Sequence, residues 1–308
     1  MIVNQQALKD IYSSFNTVFN QTLETVEQNY KRVAMEVPSA SSDENYTWLG
    51  QMPSMRQWIG DRQIQNLMAH SYNIKNEHFE LTIAVDRDNI ADDKIGIYKP
   101  LVQDLAENTQ RHPDELVFTL LGQGFAQKCY DDKSFFATDH PSQLKSIAKQ
   151  SNKGTKKLSA SSYNEARTQM MLIKGDNGKS LKIVPNLLVV SPQNEAIARE
   201  ILFADLIAGS TNVNKNTCEL LVVPELADYP NQWYLLCTKR AIRPFVFQLR
   251  EKAKLVALDS ENDENVFMRK EYLYGVDGRY NAGYGLWQLA YGSTGEEAEQ
   301  STTETPVG

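Results

Sequence analysis

The chain has 308 residues, 41% of them apolar, enough for a substantial core in one large or two ordinary domains. Its formal charge is −7, with 32 basic side chains spread widely among 39 acidic ones, which argues against a protein whose main task is to grip nucleic acid through a basic face. The three cysteines, Cys129, Cys218 and Cys237, are odd in number and form no CxxC pair, so neither a disulfide framework nor a zinc site is expected.

The first residues, Met1 to Gln6, lack the basic start and apolar run of a signal peptide. No window approaches the ~18 apolar residues of a membrane span. A cytosolic site of synthesis and no membrane partner are the expectations.

Leu8, Ile11, Phe15, Val18, Phe19, Val26, Tyr30 and Val33 follow helical spacing. They predict a long amphipathic helix, broken once, that ends before Pro38 and a polar linker, Ser39 to Asn45. Its apolar stripe needs a cover, either the chain's own core or another chain.

Trp48 and Trp58 then flank a Gly/Pro-punctuated stretch. In the following strand Phe79, Leu81, Ile83 and Val85 alternate with Glu80, Thr82, Ala84 and Asp86, the period of a half-buried ribbon. Residues 66–74 and 77–87 are expected to pair as a hairpin across Lys75-Asn76. A two-stranded ribbon is marginal in water alone, so something else must cover its apolar face.

Tyr98, Leu101, Val102 and Leu105 predict a helix. Pro113 interrupts it and suits the first turn of a second helix carrying Leu116, Val117, Leu120 and Leu121. From Cys129 to about Leu158 the chain reads as loop, rich in lysine (Lys145, Lys149, Lys153, Lys156 and Lys157) without interleaved aromatics. Ser162 and Glu165 predict a capping box opening a helix that ends at Lys174-Gly175. A buried strand over Lys182–Val190, a helix capped by Ser191-Pro192, and strands at Glu219–Val223 and Trp233–Cys237 make a small α/β layer. From Ala241 the pattern is mostly β, with Gly283–Tyr291 apolar on both faces; the tail after Gly292 has the composition of a disordered segment.

Catalytic signals are thin. Cys129 with His140 could form a nucleophile and base if folded together, which would make a cysteine hydrolase. Asp92-Asp93 and Asp131-Asp132 lack EF-hand spacing, and there is no HExxH, Walker A or GxGxxG pattern. No catalytic residue, cofactor or metal is assigned, and a structural or binding role is the expectation.

An ordered set of segments carries a resemblance: Trp48 to Pro53, Met55 to Arg62, Asn76 to Glu80, Ile90 to Asp93 with Gly96, His112 to Leu116, Gly124-Phe125, Cys129 to Asp131, Phe135-Phe136 and Asp139 to Pro141. Across roughly Met1 to Gly292 this resembles the major head subunits of Mu-like bacteriophages. The lysine-rich loop and the tail match least. The resemblance implies an α+β chain of the Hong Kong 97-type capsid fold. Its parts would be an N-terminal arm (1–45), an extended β-hairpin loop with a flanking strand (46–94), a spine helix and following helix of the peripheral domain (95–124), an α/β axial domain (125–240), peripheral β segments (241–292) and a tail (293–308).

It also implies a non-enzymatic subunit that assembles through hexamers and pentamers into an icosahedral shell around double-stranded DNA, without sequence-specific binding. Scaffold, portal and decoration proteins would be its partners. Assembly would take place in the host cytoplasm and the product would be the virion capsid. A nanocompartment shell of the same fold is the alternative. An arm and a ribbon without a home for their apolar faces would bury them on neighbouring subunits. Trp48, Trp58, Arg62, Phe79, Phe15 and Phe19 are the contact candidates on that argument.

Overall fold

The computed structural model describes residues 4–49, 72–92, 95–141, 148–175, 178–260 and 262–296. Helix α1 (Gln5–Thr25) starts where the Asn4 side chain accepts from the Ala7 N–H at 2.8 Å. Leu8, Ile11, Phe15, Phe19 and Thr22 form its buried stripe. The chain turns extended at Val26, and a four-residue helix α2 (Tyr30–Val33) follows, so the single break falls as expected. The arm does not stay separate. Strand β1 (Ala34–Pro38) runs on from α2, and two short strands, β2 (Asp43–Asn45) and β3 (Asn73–Lys75), pair with each other.

The expected hairpin across Lys75-Asn76 is absent where the structure describes it; residues 66–71 lie outside the described residues. Strand β4 (Glu77–Asp86) instead forms an edge of a larger sheet. Its end is fixed by Asp86, which accepts from Asp88 and Asn89 N–H to open α3 (Arg87–Ala91).

A 3₁₀ turn at Ile95–Tyr98 leads into α4 (Lys99–Gln123), one continuous helix of 25 residues with Pro113 inside it. The two helices expected around Pro113 are therefore one. Pro113 removes a backbone donor, but its neighbours are tied down on both sides. His112 Nδ1 lies 2.9 Å from Tyr280 Oη, and the buried Asp114 carboxylate accepts from Asn29 N at 3.1 Å and Tyr30 N at 2.6 Å. Asp114 thus satisfies the free N–H groups at the start of α2 and fastens the arm to α4.

Burial pushes the Asp114 carboxyl up. The two N–H groups oppose that, and Glu225 and Glu27 add to it. A raised carboxyl favours the fold when protonated. Its contribution is full below the ordinary carboxylate range and is lost as pH rises through the raised value. Asp114→Asn keeps only one acceptor, so it is expected to be less stable than the parent at about pH 4. The gap should narrow as pH rises, measured by denaturant unfolding across the range.

After α4 come β5 (Lys153–Gly154), α5 (Ala160–Leu172), β6 (Leu187–Val190), α6 (Glu195–Phe203), β7 (Leu206–Ile207), β8 (Ser210–Thr211), β9 (Glu219–Val222) and β10 (Trp233–Leu236). The capping box sits three residues earlier than predicted. Ser159 is the cap and Ser162 its reciprocal partner, because Ser162 Oγ meets the Ser159 N–H at 2.9 Å. Ser191 does not cap with its side chain; its hydroxyl donates to Pro230 O at 3.0 Å.

The chain closes with β11 (Phe245–Leu258), α7 (Glu264–Arg269), β12 (Glu271–Tyr284) and β13 (Ala290–Ser293). The expected single strand Gly283–Tyr291 is broken by a 3₁₀ turn at Trp287–Leu289. Its second half changes sheets.

Two sheets organise the molecule. One has the order β1-β11-β12-β4, with β1 parallel to β11 and the other pairs antiparallel. The other has the order β5-β13-β10-β6-β9. Strand β12 feeds two cores from one face. Tyr272, Tyr274 and Val276 join α1, α3 and α4 in one; Tyr280, Ala282 and Tyr284 join the larger core under the second sheet.

At the sheet junction Gly285 donates to Pro244 O at 2.7 Å. A Cβ there would stand 2.5 Å from Arg243 O and 2.9 Å from Pro244 O, both backbone atoms that cannot rotate away. Gly285→Ala is expected to cost about 1–3 kcal/mol, read as a lower denaturation midpoint at unchanged slope. Among the described residues no helix is long and apolar enough to cross a membrane.

Candidate assembly surfaces and the Cys129 cluster

Phe15 and Phe19, expected as contacts between subunits, are buried at home, only 2% and 0% exposed. Phe15 meets Tyr274 edge-on with ring centroids 5.0 Å apart. The helical period showed that a stripe needed cover; it could not show that α4 and β12 of the same chain supply it. Trp58 and Arg62 lie outside the described residues. Trp48 is half-buried and packs edge-on against Tyr46, whose hydroxyl donates to Gln248 Oε1 at 2.9 Å. Phe79 is half-buried too, stacked on Tyr280 at 4.9 Å and against His112 at 4.4 Å. It borders an open groove of about 340 Å³ with Leu81, Thr109 and Val276. Of the ribbon's apolar face, Val85 is buried at home while Leu81 stays exposed.

The largest exposed apolar side chains were not singled out from sequence. Phe267 is 84% exposed and Met268 68%, on α7 at the far end of the β11–β12 hairpin. The available signal was an apolar trio, Val266 to Met268, inside an otherwise charged and polar stretch. Val213 and Leu206 are exposed beside the β7–β8 hairpin. Adjacent exposed aromatics and aliphatics of this kind suit contacts with other chains better than water.

Of the lysine cluster, Lys156 pairs with Glu165 at 2.7 Å and Lys149 approaches Asp139 at 3.6 Å; Lys145 lies outside the described residues. Lys153 Nζ lies 5.6 Å from the centre of the Phe125 ring. These partners leave less positive charge free for a phosphate backbone.

Cys129 and His140 do come together, but through a third residue. Cys129 Sγ donates to Asp131 Oδ1 at 3.1 Å, and His140 Nδ1 lies 2.7 Å from Asp131 Oδ2. Burial pushes the Cys129 thiol up, and the adjacent carboxylate adds to this. A thiol held protonated by an acid neighbour is the reverse of an activated nucleophile. His140 is fully buried with both nitrogens engaged, so it is not placed to take the thiol proton.

The ligand atoms of Cys129, Asp131 and His140 lie within 4.8 Å of one another. Yet the 3.1 Å and 2.7 Å separations are hydrogen-bond lengths. Two ligands of one tetrahedral zinc stand about 3.3–3.5 Å apart, given bonds of about 2.0–2.3 Å. The cluster does not fit a metal.

The two sheets, the long helix α4 and the hairpin reaching out to α7 define a capsid shell subunit of the Hong Kong 97-type fold. A chain from the procapsid of bacteriophage JBD30 superposes with a TM-score of 0.63 at 33% identity, covering 97% of this chain and 78% of that one. The family model of the Mu-like prophage major head subunit gpT matches residues 8–157, 150–226 and 227–305, and the chain belongs to that family. It is 31% identical over 296 residues to the major capsid protein of Escherichia phage Mu, covering 96% of this chain and 76% of that protein. It is 30% identical to the FluMu prophage major head subunit of Haemophilus influenzae, over 96% of this chain and 75% of that protein. Its function is that of a major head subunit of a Mu-like phage or prophage.

Proposed function

We propose that this subunit closes into an icosahedral shell of hexamers and pentamers that encloses double-stranded DNA. Scaffold and portal proteins would be its assembly partners and the host cytoplasm the place of assembly. Rings follow from heterologous contacts whose rotation closes. The observation that carries the reading is the extended hairpin ending in exposed Phe267 and Met268, in a chain of this family. A net charge of −7 suits a container whose contents must leave again.

Within this reading α1, α4 and the β1-β11-β12-β4 sheet form the peripheral domain, and α5, α6 and the β5-β13-β10-β6-β9 sheet the axial domain. The boundaries shift from those the sequence suggested. Ala34–Pro38 belongs with the peripheral sheet rather than a free arm, and Ala290–Ser293 with the axial sheet. Trp58 and Arg62 are assigned to contacts between subunits, together with Phe267 and Met268. The role is structural and not enzymatic, in keeping with the protonated thiol at Cys129.

Electron microscopy of the protein co-expressed with its scaffold tests the proposal. Hollow particles of icosahedral symmetry are expected, and a strictly monomeric product at every concentration would overturn it. Strong, salt-dependent binding of DNA by the purified subunit would overturn the container argument.

A further inference from the structure

Asn152 is fully buried, and its orientation is dictated by what surrounds it. Its Nδ2 donates to Phe135 O at 2.8 Å and to Trp287 O and Ala290 O at 3.2 Å each. Its Oδ1 accepts from Ala137 N at 3.0 Å. A flipped amide would set an oxygen against three carbonyls and a donor against an N–H. Oδ1 therefore faces His140 Nε2, 3.0 Å away, and Nε2 must carry a hydrogen. On the other side of the ring Nδ1 is 2.7 Å from Asp131 Oδ2. A lone pair on Nδ1 would repel a carboxylate at that distance, so a second proton lies between them.

Asp131 is the poorer holder of that proton. The Cys129 thiol and the Lys133 N–H already donate to its Oδ1, which favours the carboxylate. The Trp287 ring lies parallel to the imidazole, 4.0 Å between centres and 6° between planes, which is the placement for a cation over an indole face.

We infer that His140 is a buried imidazolium, a structural cation with Asp131 as counter-ion, Asn152 as its second acceptor and Trp287 as its stacking face. It is a positioning residue. It pins the segment from Cys129 to His140 onto the turn that feeds the last strand, β13. A proton fits where a metal does not, because the separations are hydrogen-bond lengths.

Among the described residues Asp131 is the carboxylate touching the ring. Asp139 is next in the chain but is engaged by Lys133 and Lys149. Asn152 and Trp287, which meet the ring from the other segments, carry no charge. Without that proton the ring would set a lone pair against the Asp131 carboxylate.

The test uses the full chain labelled with ¹⁵N-histidine. Ring nitrogens are correlated with their carbon-bound hydrogens near neutral pH, and His140 is assigned by its disappearance in His140→Gln. Two protonated nitrogens are expected for His140. Asp131→Asn should convert the ring to the neutral form with its hydrogen on Nε2. Protection of the Ala137 and His140 amides from exchange gives a second readout of the pin in the parent protein, whether or not the variant folds. A neutral His140 ring in the parent protein, or stoichiometric zinc on Nδ1, would overturn the inference. So would exchange of the Ala137 and His140 amides at the unprotected rate.

Discussion

Phe19→Ala is expected to destabilise the unassembled subunit by about 3–5 kcal/mol, the usual cost of removing a buried phenyl ring and leaving a cavity. Phe19 is fully buried beside Phe15, in a core that also holds Val102 and Leu105 of α4, Val85 of β4 and Tyr272 and Tyr274 of β12. Four separate segments meet there, so the cavity cannot close by moving one of them. For a chain of this size the loss corresponds to a melting temperature lower by roughly five to eight degrees. Differential scanning calorimetry of the soluble subunit measures it. The same substitution separates two views of the arm. If α1 served mainly to grip a neighbour, the subunit would melt unchanged and only particle yield would fall. The packing predicts that both fall together, because subunits that unfold cannot assemble.

That contrast marks where sequence reasoning reaches its limit. Periodicity identifies a face that must be buried, and it placed the buried stripe of α1 and the alternation of β4 correctly. It says nothing of the partner, since any apolar surface satisfies the pattern equally. The partners here are distant in the chain: β4 pairs with β12, nearly two hundred residues later, and β1 with β11. Pro113 was misread for a related reason. Local propensity breaks a helix at proline, but contacts of His112 to Tyr280 and of Asp114 to Tyr30 hold α4 continuous through it. The family and fold were legible through short motifs in a fixed order, not through any pattern of physics. In the Cys129 cluster the residue types were visible. The interposed carboxylate of Asp131, which inverts the chemistry from nucleophile to inert thiol, needed three dimensions.

Removing the side chain of Asn152 is expected to be nearly as damaging as opening the Phe19 cavity, although it deletes only a few atoms. The amide is the hub of the region. It serves the backbone carbonyls of Phe135, Trp287 and Ala290, the N–H of Ala137 and the ring of His140, all within 3.2 Å. Its own backbone continues the stitching, with Asn152 N donating to Ala137 O and Gly292 N to Asn152 O. In Asn152→Ala these groups stay buried without their partner, and each such group costs about 1–3 kcal/mol unless water reaches it. A net loss of at least about 3 kcal/mol is expected after partial relaxation. Because β13 hangs on Trp287, Ala290 and Gly292, the loss should not be spread evenly. Hydrogen exchange should show the amides of β13 and of residues 135–140 losing protection first, while α1 and the first half of α4, which belong to the other core, keep theirs. Uniform loss of protection across both sheets would mean that the two cores fold as one unit and that Asn152 acts on the whole molecule rather than on this junction.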